Sequence, residues 1–557
     1  MSLKKDLQKY KPRNEQKEAM DFIKSEYSRN KLNKFFLMDL PVGVGKSFLA
    51  LMISDWYKKN VNKLAKVDII TNSKILQDQY SDTFSSISVL KGKENYQCDT
   101  YSCSCAQGQE FNRLNKTSCD SCPYTAAKDS FIASDISLTN FYLYILYAIY
   151  NRKLLDSRDA RLLIVDECHM FDDVMSDFIS IKITENIVKR YKFTSEYEIL
   201  RMLKSVSSIN DYVEFLNYFE GEVGQTVGYM ELNLGNVKRT AKSDKRDNKI
   251  NKLIGSKSSD IKLMNDVNDL RQLQSKIEVF LTEYKENPNN WVLESNYNEK
   301  TKQKELSLEP IWAYDYLDKY VFSHYDMVIL MSGTILDKNL FCQLNGLDVN
   351  RATYYSIDSP FPLKNRPIYY MPVGKMSYKS KEETFKKYVP YIKKILDKYK
   401  NKKGIIHTNS FELAKWIQDS VDDPRLVFHD SSNKDDVLRM HKESDEPCVI
   451  VSPSMDTGVS FDNDYARFQI IAKIPYPSLA SQKNKLRQSN NPEWYAWKTS
   501  SSLQQACGRI IRSDLDYGDT IIIDESFSDL IKWSSHLLPK WFQDSIKKVN
   551  VKNRKQQ

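Results

Sequence analysis

The sequence predicts an α/β fold: two lobes built on parallel sheets, the first interrupted by a cysteine-rich insertion and by a helical one. Three observations lead there. Eight short runs, FFLMDL (35–40), VDIITN (67–72), RLLIVDE (161–167), MVILMSG (327–333), GIIHTNS (404–410), CVIVSPS (448–454), RFQIIAKIP (467–475) and TIIIDES (520–526), are continuously apolar and β-branched. Continuous rather than alternating hydrophobicity means burial on both faces, the mark of parallel strands between helices. The runs form one group before about residue 340 and another after 400. Residues 181–305 show helical spacing instead, as in Leu263, Val267, Leu270, Ile277 and Leu281.

Composition fits a large soluble protein. At about 150 residues per domain, 557 residues make roughly three or four domains. Hydrophobic content of 41%, aromatic content of 12% and charged content of 28% exclude wholesale disorder and collagen. Lys+Arg 82 against Asp+Glu 73 leaves +9, which permits phosphate binding without demanding it. MSLKKDLQKYKPRNEQ has no apolar core like that of a signal peptide, and the greasy run Phe141–Tyr150 is too short to span a bilayer. An intracellular, cytoplasmic protein is expected.

Along the chain, the first chemistry follows the first strand. LPVGVGKS (40–47) joins FFLMDL to an apolar helix-like stretch. A Gly-rich turn between strand and helix, with Gly43 and Gly45, aims backbone N–H groups at phosphates. Lys46 is then expected to reach the terminal phosphates of ATP, and Ser47 to ligate Mg²⁺. Leu40 stands where the usual pattern has its first glycine.

Five of the nine cysteines come next, at 98, 103, 105, 119 and 122. In a reducing compartment this cluster reads as a metal or iron–sulfur site before it reads as disulfides, and by spacing alone zinc is an equal candidate. At the end of another apolar run, LLIVDECH (162–169) offers Asp166 to hold Mg²⁺ and Glu167 to polarise the attacking water. An acidic pair after a strand is usually structural; paired with a phosphate loop it becomes specific. Val237–Asp260 is rich in Lys, Arg, Asp and Ser and is expected to be a solvated loop, and the basic KKVNVKNRKQQ end a frayed tail.

With these residues in hand, the sequence resembles superfamily 2 helicases, and among them the iron–sulfur DNA helicases of the XPD/DinG branch. PRNEQ (12–16) looks like the adenine-side motif, giving Arg13 and Gln16, and TNSKILQDQY (71–80) is similar to the segment that touches the single strand. DECH takes the place of a DEAH box, with Cys168 as a departure, and MSGTILD (331–337) resembles the motif coupling ATP state to DNA, with Gly333 in place of alanine. SPF (359–361), KKGIIHTNSFELA (402–414), SPSMDTGVSF (452–461) and QQACGRIIRS (504–513) follow in the family's order. The last resembles QxxGRxxR and implies Gln505, Arg509 and Arg512 as catalytic residues, the two arginines expected on one helical face as fingers toward the triphosphate. Gly458 and Asp456 fall in the nucleotide-side motif, with Ser460 where relatives often carry an acid.

The resemblance also implies a 4Fe–4S cluster on four of the five thiols, read as Cys98, Cys119 and Cys122 with Cys105 ahead of Cys103 for the fourth place. ASDISLTNFYLY (133–144) resembles the segment after that cluster. Thr71, Asn72, Thr139, Asn140, Thr408 and Asn409 become candidate DNA contacts. The implied organisation is a RecA-like lobe 1 (1–91, 126–180, 306–340), an iron–sulfur insertion (92–125), an arch-like helical insertion (181–305) and a RecA-like lobe 2 (341–557). The implied activity is ATP-driven translocation on single-stranded DNA, 5′ to 3′, unwinding forked duplex as a monomer away from membranes. Its protein partners are unknown, and its compartment is the host cytoplasm if a phage encodes it. Two other readings compete: a nucleic-acid-stimulated ATPase remodelling RNA or protein–DNA complexes, and a nucleotide-switched binding module with structural zinc. Intact Glu167, Arg509 and Arg512 speak against the pure switch, since they would serve hydrolysis.

Overall fold

The computed structural model describes residues 3–100, 103–115, 119, 121–241, 257–298, 303–430, 432–455 and 461–550. Its strands, in chain order, begin with β1 (Phe35–Asp39), β2 (Lys66–Thr71), β3 (Ser88–Val89), β4 (Ile136–Asn140) and β5 (Ala160–Asp166). There follow β6 (Ile181–Thr184), β7 (Trp291–Asn298), β8 (Gln303–Pro310), β9 (Met327–Ser332) and β10 (Ala352–Ser356). The series closes with β11 (Ile368–Gly374), β12 (Gly404–His407), β13 (Leu426–Phe428), β14 (Val449–Ser452), β15 (Phe468–Ile471), β16 (Asp519–Asp524) and β17 (Ile546–Lys548). Two seven-stranded sheets result, ordered β10-β1-β9-β5-β2-β4-β3 and β13-β14-β12-β15-β16-β11-β17. Every neighbouring pair in both is parallel.

All eight apolar runs are strands of these sheets. β1 and β9 are buried along their whole length, as are β12, β14 and β15, because helices cover both faces. Since the strands are parallel, their carboxyl ends share one edge per sheet, where ligands bind in open α/β folds. In the first sheet β9 lies between β1 and β5, with Asp39 opposite Ser332 and Asp166 opposite Met331. That register brings the phosphate loop, the SGT turn and the acidic pair together.

Three features depart from the sequence reading. The strand β10, assigned to lobe 2 within 341–557, pairs with β1 in the first sheet. Its residues ATYYS have too few aliphatics to read as a buried strand, and its place is set by pairing alone. The region 181–305 is not purely helical. Its long helices Ile209–Ala241 and Lys257–Glu286 stand beside a three-stranded antiparallel sheet, β6-β8-β7. In LSL of β8 the two leucines, Leu306 and Leu308, are buried in the core, and Ser307 between them is buried as well. The two ends of the stretch 237–260 expected as a solvated loop are helical, since helix reaches Ala241 and resumes at Lys257; residues 242–256 lie outside the described residues, as do 551–557. Among the described residues no helix is long and apolar enough to cross a membrane.

Candidate active site

The phosphate loop turns on two glycines with left-handed backbone, Gly43 (φ 96°) and Gly45 (φ 82°), the latter immediately before the helix Lys46–Asn60. At Gly43 a Cβ would also meet the Phe361 ring at 2.2 Å, so SPF of the second motif set lies directly on the loop. The loop's carbonyls are held from outside. Gln16 Nε2 donates to the carbonyls of Val44 and Gly45, each at 3.0 Å, and Arg13 Nη1 donates to Gly43 O. Arg13 N in turn donates to Gln16 Oε1 at 2.9 Å. These two residues therefore brace the phosphate loop.

Across from the loop, Glu167 sits just past β5 with φ 59°, a costly conformation for a non-glycine residue that is concentrated at functional sites. Its Oε1 is 3.1 Å from Lys46 Nζ. Burial works against the Glu167 charge, yet Lys46, His169 and Arg509 bring its pKa down to about 2. Asp166 moves the other way, to about 6, because it is buried beside the Glu167 charge. Two neighbouring carboxyls are thus set apart, Glu167 firmly ionised and Asp166 the more easily protonated. Burial also opposes the charge on Lys46, but Glu167 and Asp166 raise its pKa overall.

Two further residues complete the acidic end. Tyr80 is fully buried and its hydroxyl donates to Asp166 Oδ2 at 3.1 Å, with Ser47 also in reach. His169, whose pKa burial pushes down to about 4, bonds through Nδ1 to Ser332 Oγ at 2.8 Å. Neither was singled out from sequence. Tyr80 closes a quoted segment and His169 closes DECH, so helical spacing back from the strand and the motif's own fourth letter were the available signals.

The second lobe closes the ring. Gln504 Nε2 donates to Gly333 O at 2.5 Å, Gln505 Nε2 donates to Thr334 Oγ1 at 3.2 Å, and Arg509 Nη2 donates to Gln505 Oε1 at 3.2 Å. Arg512 is partly buried and feels the charges of Glu167 and Asp462, while desolvation lowers its pKa. The arginines are not on one helical face: the helix Pro492–Cys507 stops at Gly508, and both lie in the irregular segment beyond it. They reach the acidic pair because the chain turns off the helix. Asp456, Gly458 and Ser460 lie outside the described residues.

Residues 9–199 match the family described as "Type III restriction enzyme, res subunit", and residues 392–545 match "Helicase C-terminal domain". The ATP-dependent DNA helicase CHL1 of Vanderwaltozyma polyspora is 22% identical over 475 residues, covering 73% of this chain and 56% of that protein. The XPD helicase subunit of general transcription and DNA repair factor IIH from Dictyostelium discoideum is 28% identical over 134 residues, 21% of this chain and 17% of that one. A solved XPD helicase superposes with a TM-score of 0.63 at 16% identity over 97% of this chain and 100% of its own. The Xpd4 structure of S. tokodaii gives 0.57 at 13% identity over 97% and 100%. By these sequence matches and by its fold the chain is similar to the XPD-like superfamily 2 helicases. It spans about half the length of the first of these curated relatives.

In this XPD-like fold the candidate DNA contacts sort into two kinds. Thr71 and Asn140 are register partners at the carboxyl ends of β2 and β4, so TNS and TN share an edge. Ser73, Asn140 and Ser410 cap the helices that follow, accepting from Leu76, Leu143 and Leu413 backbone N–H groups. The hydroxyls of Thr139 and Thr408 are buried and spent on the carbonyls of Leu90 and Ser410, and Thr71 is fully buried as well. All three side chains are buried in this structure. Asn72 donates to Met170 Sδ at 2.8 Å, and Asn409, at φ 49°, donates to Lys473 O at 2.6 Å.

The five clustered thiols are all free and pack against one apolar core. Cys105 Sγ is 3.8 Å from Cys122 Sγ, Cys98 and Cys103 interact with each other, and Asn112 Nδ2 donates to Cys119 Sγ at 2.7 Å. The bridge between Gln97 and Ser104 folds this stretch back on itself, so Cys98 meets Cys103 in an antiparallel pairing. As a donor set, these soft ligands suit iron–sulfur or zinc. Among the described residues, no three such side chains are drawn together closely enough to enclose an ion.

Proposed function

We propose that this protein is an ATP-driven DNA translocase that unwinds forked duplex as a monomer, moving 5′ to 3′ on one strand. The observation that carries the proposal is the convergence of Lys46 and Glu167 from the first sheet with Gln505, Arg509 and Arg512 from the second lobe. A site assembled from two lobes can exist only when they are together, so hydrolysis there is coupled to lobe motion. The 5′ to 3′ sense rests on the family resemblance.

Lys46 and the glycine-loop amides bind the triphosphate, and Glu167, held ionised, accepts the proton of the attacking water. Arg509 and Arg512 stabilise charge as it develops on the transferred phosphoryl group. Ser47 and Asp166 would hold Mg²⁺, which would supply charge neutralisation for the triphosphate. Gln505 reports through Thr334 and Ser332 to His169, tying the second lobe to the segment after β5. Cys98, Cys105, Cys119 and Cys122 would hold a 4Fe–4S cluster that staples the insertion against the core. Strand contacts of this kind go chiefly to phosphate and are sequence-tolerant and salt-sensitive.

Strand separation on matched 5′-tailed and 3′-tailed duplexes tests the reading. ATP-dependent opening of the 5′-tailed substrate is expected. ATP hydrolysis without separation of either duplex would refute unwinding and leave a remodelling ATPase.

A further inference from the structure

The helices Gln482–Asn490 and Pro492–Cys507 precede the arginine segment; the end of the second packs on its own lobe through Leu503 and Ala506, while other contacts of the pair run to the first lobe and to the insertion. At the start, Glu294 of β7 accepts hydrogen bonds from Ser481 Oγ at 2.7 Å and from Lys483 N at 2.8 Å. Arg487 comes next and is only 2% exposed. Its guanidinium lies 5.0 Å from the Trp312 ring and 5.4 Å from the Trp494 ring. Its Nε donates to Ile311 O, and its Nη2 lies 3.2 Å from Asp172 Oδ2. Asp172 is on the helix Phe171–Ile179, which opens as the DECH turn ends. Farther along, Lys498 pairs with Asp173 at 2.5 Å, and Trp497 Nε1 donates to Ile335 O at 2.9 Å, one residue past Thr334. The same helix then supplies Gln504 and Gln505.

Burying a guanidinium costs several kcal/mol of desolvation, and a packed apolar residue often stabilises a fold equally well. What an apolar residue cannot do is fix direction. A planar fork set beside two mutually perpendicular indoles, hydrogen-bonded to one carbonyl and ion-paired with one carboxylate, sets both the translation and the rotation of its helix.

We propose that Arg487 is a positioning residue for ATP hydrolysis, registering the helix that presents Gln505 and leads to Arg509 and Arg512 against the segment that carries Glu167. It sits on the preceding helix, acts on that one through the Trp494 ring at its start, and touches no reacting atom. The proposal rests on the ATPase reading above. Through Glu294 it also ties the insertion's sheet to the catalytic cleft.

The test uses the full chain carrying Arg487→Met, which keeps bulk and removes the donors, and Arg487→Lys, which keeps charge without the fork. DNA-stimulated ATPase kinetics, single-strand affinity, and ADP binding with and without aluminium fluoride are measured. Because misplacing catalytic groups by about 1 Å costs on the order of 100-fold, kcat is expected to fall about 10- to 100-fold. KM for ATP and strand affinity should move by less than about 3-fold, as expected when a transition-state interaction alone is lost. Aluminium fluoride should no longer tighten ADP binding in Arg487→Met, with partial recovery in Arg487→Lys. The milder Lys498→Met, at a pair whose side chains are 23% and 43% exposed, should lower kcat in the same direction. An Arg487→Met protein that retains kcat within about twofold, or loses kcat and ATP binding equally, overturns the proposal. If Arg487→Met does not fold, unchanged kcat in Lys498→Met overturns it. Wild-type protein that hydrolyses no ATP would instead overturn the parent reading.

Discussion

Replacing Glu167 by Gln separates two roles that the structure gives one carboxylate. At 3.1 Å from Lys46 Nζ, the charge attracts the ammonium by about 5 kcal/mol before desolvation, taking an effective dielectric near 20. A phosphate arriving at Lys46 competes with that attraction, so neutralising Glu167 frees the lysine for ATP. Proton acceptance disappears at the same time. Loss of a positioned general base costs about 10²- to 10⁴-fold, or roughly 3–5 kcal/mol in the barrier. Glu167→Gln should therefore bind ATP at least as tightly as wild type while kcat drops by about 10²–10⁴. Equilibrium titration with a fluorescent ATP analogue and single-turnover phosphate release on single-stranded DNA measure the two quantities separately. Weakening of ATP binding by more than about tenfold, or a kcat within tenfold of wild type, would refute the assignment of Glu167 as the base.

Lys46→Ala should abolish ATP turnover and leave single-strand affinity in filter binding nearly unchanged, since Lys46 lies in the phosphate cleft; wild-type turnover would sink the loop assignment. Anaerobically purified protein should contain iron and sulfide, and Cys122→Ser should lose both together with unwinding while keeping most ATPase; stoichiometric zinc without sulfide would decide for the other metal. His441 donates through Nε2 to Tyr465 O at 2.6 Å, accepts at Nδ1 from Cys448 at 3.1 Å, and is held by burial at a pKa of about 4. The unfolded chain takes up its proton near pH 6.5 and the folded chain only near 4, so stability is complete above 6.5 and lost as pH falls toward 4. The loss approaches about 3 kcal/mol, and denaturant titrations of wild type and His441→Gln should differ in slope across that window; identical pH profiles would count against it.

What the sequence alone determined is whatever depends on chain neighbours. The glycines of LPVGVGKS, the continuous apolar runs and the DE pair dictate strand, tight turn and helix within a few residues, so the sheets and both halves of the nucleotide site were legible. Hydroxyl and amide side chains after strands looked like groove contacts, yet capping and burial claimed Thr139, Thr408 and Asn140. Contacts between distant segments were decided only by tertiary structure. β10 joined the first sheet through register with β1, and a helix end at Gly508 swung Arg509 and Arg512 off the face that their spacing implied. Phe361 on the phosphate loop, Tyr80 on Asp166 and Arg487 beside the Trp312–Trp494 pair depend on packing across more than a hundred residues or on a shared buried edge. Periodicity reports which side of an element is buried; it carries no information about which other element buries it, and that partner is what shapes the charges in this cleft.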